Sequence, residues 1–93
     1  MIYEELLTGE ENAKTAKELC KKFNINAREL AQIVREERRQ GHPIASSNGK
    51  TPGYFLAANK TEMENFCASL FRRAGEIHRT RKYCLATLDK LPK

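Results

Sequence analysis

Apolar residues along the chain change their spacing several times, and each change marks a predicted element. Ile2, Leu6 and Leu7 fall on one face of a short first helix, which Gly9 ends. Thr15 then opens a second helix, with Glu18 three residues on in capping-box spacing. Ala16, Leu19, Cys20 and Phe23 give that helix its inward stripe. Asn24-Ile25-Asn26 is too short and too turn-prone to continue it, and Asn26 caps a third helix with Glu29 again three residues later. Leu30, Ile33 and Val34 form the apolar face of this third helix, and Gly41 followed by His42-Pro43 stops it.

Beyond Pro43 the period becomes that of a strand. Pro43-Ile44-Ala45-Ser46-Ser47 reads as a short strand with proline at its first position, where the missing N–H does least harm. Asn48-Gly49-Lys50-Thr51-Pro52-Gly53 is dense in turn residues, and Tyr54-Phe55-Leu56-Ala57 returns as the second strand of a hairpin. Thr61 caps a last helix with Glu64 at the capping-box position, and only Gly75 interrupts it before Pro92. The expected fold is therefore mainly α with a small β-hairpin and a long C-terminal helix. It divides into a compact part over 1–58 and a basic helical part over 59–93.

The last helix carries a second periodicity. Met63, Cys67, Leu70, Ala74, Ile77, Cys84, Leu88 and Leu91 follow a 4-3-4-3 alternation that Arg81 completes, with Phe66, Phe71 and Leu85 on its flanks. A helix of about thirty residues spans about 45 Å, longer than so small a body needs. Part of the seam is expected to project and to pair with its symmetry mate, making a homodimer. Packing the same stripe across the chain's own body is the competing expectation. Arg81 at a seam position sets register, reaches outward to water or faces an acidic partner.

Composition narrows the classes. The chain has 93 residues, 40% hydrophobic and 31% charged, which suits one globular domain and leaves little room for an enzyme core with a substrate cleft. Seventeen Lys and Arg against 12 Asp and Glu give a net charge of +5, which favours a polyanionic partner. That excess is uneven: −1 over 1–23, +2 over 24–58 and +4 over 59–93. No run approaches a membrane span, and no basic-then-apolar leader opens the chain, so a cytoplasmic protein is expected. Three cysteines, Cys20, Cys67 and Cys84, without a C-x-x-C pair, read as reduced thiols rather than a disulfide framework or a zinc ribbon.

The stretch from Glu18 to Leu30, with Cys20 after Leu19, Phe23 and Ile25 about the turn and Asn26 as the cap, resembles the helix-turn-helix of bacterial transcription regulators. Gly41-His42-Pro43-Ile44 through Gly53-Tyr54-Phe55-Leu56-Ala57 is similar to the wing of biotin-repressor-like winged helices, and of small winged-helix proteins of bacterial prophages. The resemblance covers about residues 2–57. It implies a winged helix-turn-helix that reads double-stranded DNA as a transcriptional regulator. Glu37 departs from it, standing where such families usually carry leucine. Three accounts of Glu37 are open: an apolar face that ends early, a place at the rim, or a basic partner.

With Leu30, Ile33 and Val34 inward, Arg28, Gln32, Arg35 and Arg39 share one outward stripe. Arginine pairs bidentately with guanine and glutamine with adenine, so Arg28, Gln32 and Arg35 are the candidates for base edges and Arg39 for phosphate. Ser47, Asn48 and Lys50 of the hairpin are candidates for backbone or minor-groove contact, as are Thr15 and Lys17 at the start of the second helix. The rival class is a protein-interaction winged helix that leaves DNA alone and partners a regulator, replication or packaging protein; Glu29, Glu36 and Glu37 in the third helix favour it. An architectural or origin binder with little sequence preference is a third. His42 and His78 have no metal-ligand or catalytic partner at a recognised spacing, and no phosphate loop or nucleophile motif is present. No enzyme, metal, cofactor, membrane or small-molecule partner is expected.

Overall fold

The computed structural model describes residues 1–47 and 53–92. Six elements carry the fold: strand β1 (Lys14–Thr15), helix α1 (Ala16–Phe23), helix α2 (Ala27–Arg39), strands β2 (Ile44–Ser46) and β3 (Gly53–Leu56), and helix α3 (Lys60–Leu85). The chain is mainly helical, with a small antiparallel sheet and a long C-terminal helix. Among the described residues, no helix is long and apolar enough to cross a membrane.

The two interior helices begin as their sequences predict. Thr15 Oγ1 accepts the Glu18 amide at 3.1 Å to cap α1. Asn26 and Glu29 form a reciprocal capping box at α2, with bonds of 2.8 and 3.2 Å. Asn24 closes α1 in the left-handed region at φ 54°, a conformation that asparagine tolerates. Gly41, at φ +100°, ends α2 where a side chain would be strained.

The predicted hairpin is two strands of a three-stranded sheet, in the order β1-β3-β2. Its third strand, Lys14–Thr15, is only two residues long, too short to leave an alternating pattern. Gly53, expected in the turn, opens β3 opposite Thr15. A Cβ there would lie 2.6 Å from the Lys14 carbonyl oxygen, so this close approach of two backbones requires glycine.

The sheet is covered on both faces. Ile44, Tyr54 and Leu56 pack with Ile2, Leu6, Leu19, Leu30 and Val34. Ala45 and Phe55, paired across β2 and β3, pack with Phe66, Met63 and Ala13. The first turns of α3 therefore belong to the same folded body as the part before them.

Two ends of the chain depart from expectation. The first segment is a single 3₁₀ turn, Ile2–Glu5, that buries Ile2. Leu6 follows it into the core, whereas Leu7 is exposed. Beyond the turn, the Leu7 carbonyl and the Gly9 amide bond the Leu56 amide and carbonyl, each at 2.9 Å, so the chain runs along β3 where a helix was expected. At the other end Asn59, not Thr61, caps α3 by accepting the Glu62 amide at 3.0 Å. The Glu62 carboxylate accepts the Ala58 and Glu10 amides, tying the start of α3 to the N-terminal segment. The helix ends at Leu85, and Leu88–Lys90 form a 3₁₀ turn.

Glu37 answers none of its three expected accounts. It is 2% exposed, on the inward face of α2, and its two carboxylate oxygens accept the Ile2 amide at 2.9 Å and the Tyr3 amide at 2.7 Å. Its partner is the orphan backbone of the N-terminal turn, which lacks a side-chain cap of its own. Tyr3 is held further by stacking on His42, with centroids 3.6 Å apart and planes 13° from parallel. Each bond to a charged acceptor contributes about 1.5–3 kcal/mol. Glu37→Ala is therefore expected to lower the unfolding free energy by roughly 3 kcal/mol or more, read as a lower urea midpoint, with Glu37→Gln keeping part of that stability.

Candidate nucleic-acid interface

The candidate surface is the outer face of α2, and its position follows from what the helix buries. Leu30, Val34 and Glu37 point into the body. The 100° step then places Arg28, Gln32, Arg35 and Arg39 on the opposite side, and all four are exposed. The structure thus brings this predicted stripe together as one row along about three helical turns. α1 packs against the inner side of α2, joined to it through residues 24–26.

The three glutamates of α2 are each engaged. Glu37 lies inside the core. Glu29 folds back on the Asn26 amide as half of the capping box. Glu36 meets Arg39 at 3.6 Å, with both side chains more than half exposed, a pair worth about 0.2–1 kcal/mol and easily exchanged for another anion. Arg28 and Arg35 make no ion pair among the described residues. The exposed face therefore carries Arg28, Arg35 and Arg39 in one row, with Glu29 and Glu36 exposed to one side of it and Glu37 withdrawn into the core.

The other predicted contacts fare differently. Lys17 is exposed in the first turn of α1. Thr15 is half-buried, its hydroxyl accepting the Glu18 amide and donating to the Glu18 carboxylate at 3.2 Å, which makes it a cap first. Ser47 is corrected: it is 8% exposed, and its Oγ accepts the Gly53 amide at 3.1 Å while its own amide donates to the Gly53 carbonyl. A hydroxyl buried to close the base of the β2–β3 connection is not a groove contact. Asn48 and Lys50 lie outside the described residues.

Sequence reasoning passed over Arg38. Its Nε donates to the Ile44 carbonyl at 2.8 Å, and its guanidinium lies 4.8 Å from the centroid of the Phe66 ring. Burial holds its pKa below the ordinary arginine range, and Tyr54 pulls the other way. Among the described residues, Nη2 is buried without a hydrogen-bond partner. Arg38 thus joins α2, β2 and α3. One available signal was its position, about 80° from the inward face and off the outward stripe.

The predicted seam of α3 divides at the edge of the body. Met63 is half-buried against the sheet, while Cys67, Leu70, Ala74, Ile77, Cys84 and Leu88 are exposed. The residues that α3 buries are Phe66 and Ser69, neither on the seam. Leu88 stands on the 3₁₀ turn beyond the helix. A half-open groove of about 260 Å³ lies between the sheet and α3, lined in part by Phe55, Phe66, Glu62 and Ser69. The acid of Glu62 and the hydroxyl of Ser69 are already bonded to backbone groups there.

This arrangement defines a small helical protein with a covered three-stranded sheet, one basic helix face and one projecting helix. No protein-family model, curated protein or solved structure matches the chain at a significant level.

The capping box sets where α2 begins, just before Arg28. Asn26→Ala is expected to lower stability by about 1 kcal/mol, seen as a fall of about 4–8 °C in the thermal midpoint.

Proposed function

We propose that the chain is a winged helix-turn-helix protein that binds double-stranded DNA sequence-specifically as a transcriptional regulator, two copies pairing through α3. In this reading α2 enters the major groove, with Arg28, Gln32 and Arg35 at base edges and Arg39 on phosphate. Lys17 meets the backbone near the start of α1. The assignment of Lys50 and Asn48 to the wing rests on their place in the sequence between β2 and β3.

The observation that carries the reading is the exposed Arg28–Gln32–Arg35–Arg39 row opposite the buried face of α2, with Glu29 and Glu37 turned to backbone amides. The element order supports it: β1 precedes two helices joined by a three-residue turn, and β2 and β3 follow. The acidic residues that favoured a protein-interaction helix are largely structural, which weakens that rival.

Titration of the protein onto mixed-sequence duplex DNA at several salt concentrations tests the proposal. Affinity should fall steeply with salt, by about 0.9 in logarithmic slope per phosphate contact. Arg28→Ala with Arg35→Ala should weaken binding at least tenfold, since each bidentate base contact is worth about 1–3 kcal/mol. If the parent protein fails to bind at low salt, the DNA reading is overturned and a protein partner for α2 takes its place.

A further inference from the structure

α3 is 26 residues long, about 39 Å, but only its first turns touch the body. From Leu70 to Leu85 the 100° step gathers Leu70, Phe71, Ala74, Ile77, Cys84 and Leu85 into one arc of about 140°, and all of them are exposed. Phe71 is 82% exposed and Ile77 69%. A bare apolar arc of this kind on a small chain calls for a cover. The cations of the same segment are mostly elsewhere: Arg72 and Arg79 lie on the far side of the helix. Arg81 alone interrupts the arc, at a seam position and exposed.

We infer that the cover is a second copy of α3 running antiparallel, with the register centred on Arg79. This deepens the proposed pairing through α3 and is independent of whether DNA is bound. Three features decide it. First, a parallel pair would place Arg81 against Arg81 in a single apolar layer, two like charges taken from water together. An antiparallel pair places Arg81 opposite Ile77 of the second copy, where the guanidinium extends along the helix to water. Second, centring on Arg79 matches Ala74 with Cys84 and Ile77 with Arg81 within the helix, and brings Leu70 level with the turn after α3 that carries Leu88. A register one heptad nearer the body would bring Met63 into the seam, and Met63 already packs on its own sheet. A register one heptad further out leaves Leu70 and Phe71 bare.

Third, the flanks suit a second copy. Phe71 meets Leu85 on one side of the seam, and on the other Arg73 comes level with the uncharged turn at Ala86 and Thr87, so no like charge faces it there. A segment holding five Lys and Arg against one Glu over 70–88 otherwise repels its own kind. Antiparallel pairing also sets the two bodies at opposite ends of the helix pair. Their Phe66 contacts stand about 39 Å apart along the axis, a spacing of the order of one DNA turn.

Thiol trapping reads the register directly, because Cys84 lies on the seam. The parent with Cys67→Ser is compared with the same protein carrying Ala74→Cys. Both are brought to mild oxidation after sedimentation at tens of micromolar, and linked peptides are mapped by mass. The expected results are a two-chain mass, no Cys84-to-Cys84 link in the parent, and in the second protein a link between the introduced thiol and Cys84 of the other copy. A monomer mass overturns the pairing itself. A two-chain mass with Cys84 linked to Cys84, or with no link from the introduced thiol, overturns the antiparallel register and leaves the pairing standing.

Discussion

The carboxylate of Glu37 is the point on which the N-terminal half of the body is assembled. It takes two neighbouring amides, Ile2 and Tyr3, into a site that water does not reach. A buried carboxylate is costly unless hydrogen bonds satisfy it, and an uncapped 3₁₀ turn leaves amides in need of an acceptor. Each group removes the other's penalty. The consequence is positional: with Ile2 and Tyr3 fixed on α2, Ile2 and Leu6 close the core over Leu30 and Val34. Burying side chains of that size contributes about 1.5–3 kcal/mol each, so the turn is held by packing as well as by its bonds.

From there the body is built outward in layers. β3 is the middle strand, paired with β1 and β2 and bonded at Leu56 to the segment that follows the N-terminal turn. Its alternation serves two cores at once, Tyr54 and Leu56 toward α1 and α2 and Phe55 toward α3. A sheet of so few residues gains stability from being covered on both faces. The close approach at Gly53 lets a two-residue strand complete it.

What could be read in the sequence was local. Both capping motifs, Thr15–Glu18 and Asn26–Glu29, act within one helical turn, and both helix starts followed from them. The outward stripe of α2 was legible because it is the complement of a periodic apolar face. The N-terminal turn was not, since Ile2, Leu6 and Leu7 have helical spacing while the bonds that decide their conformation come from Glu37 and Leu56, far along the chain. Ser47 and Thr61 were misplaced for a related reason. Ser47 is polar yet closes the base of a strand pair, and Asn59 competes with Thr61 for the same helix start and wins with Glu62 as its partner. Glu37 is the clearest case: a charge in the apolar stripe signals an unusual contact, but nothing in its spacing says that the contact is backbone.

Net charge, finally, is a weak guide to which surface matters. The +5 of the chain lies mostly on α3, yet several of its arginines lie away from that helix's apolar arc. The smaller excess on α2 is concentrated because Arg28, Arg35 and Arg39 share one row, with the exposed acids Glu29 and Glu36 to one side of it. In the proposed dimer, α2 must be held at a fixed angle to α3 if both copies are to meet their half-sites. Arg38 is the short connection between them, bonded to β2 and lying over the Phe66 ring of α3 from a position on α2 one turn past Val34. Lysine would keep the charge but lose the directed Nε–H to the Ile44 carbonyl. The residue that couples the two faces is therefore one that touches neither.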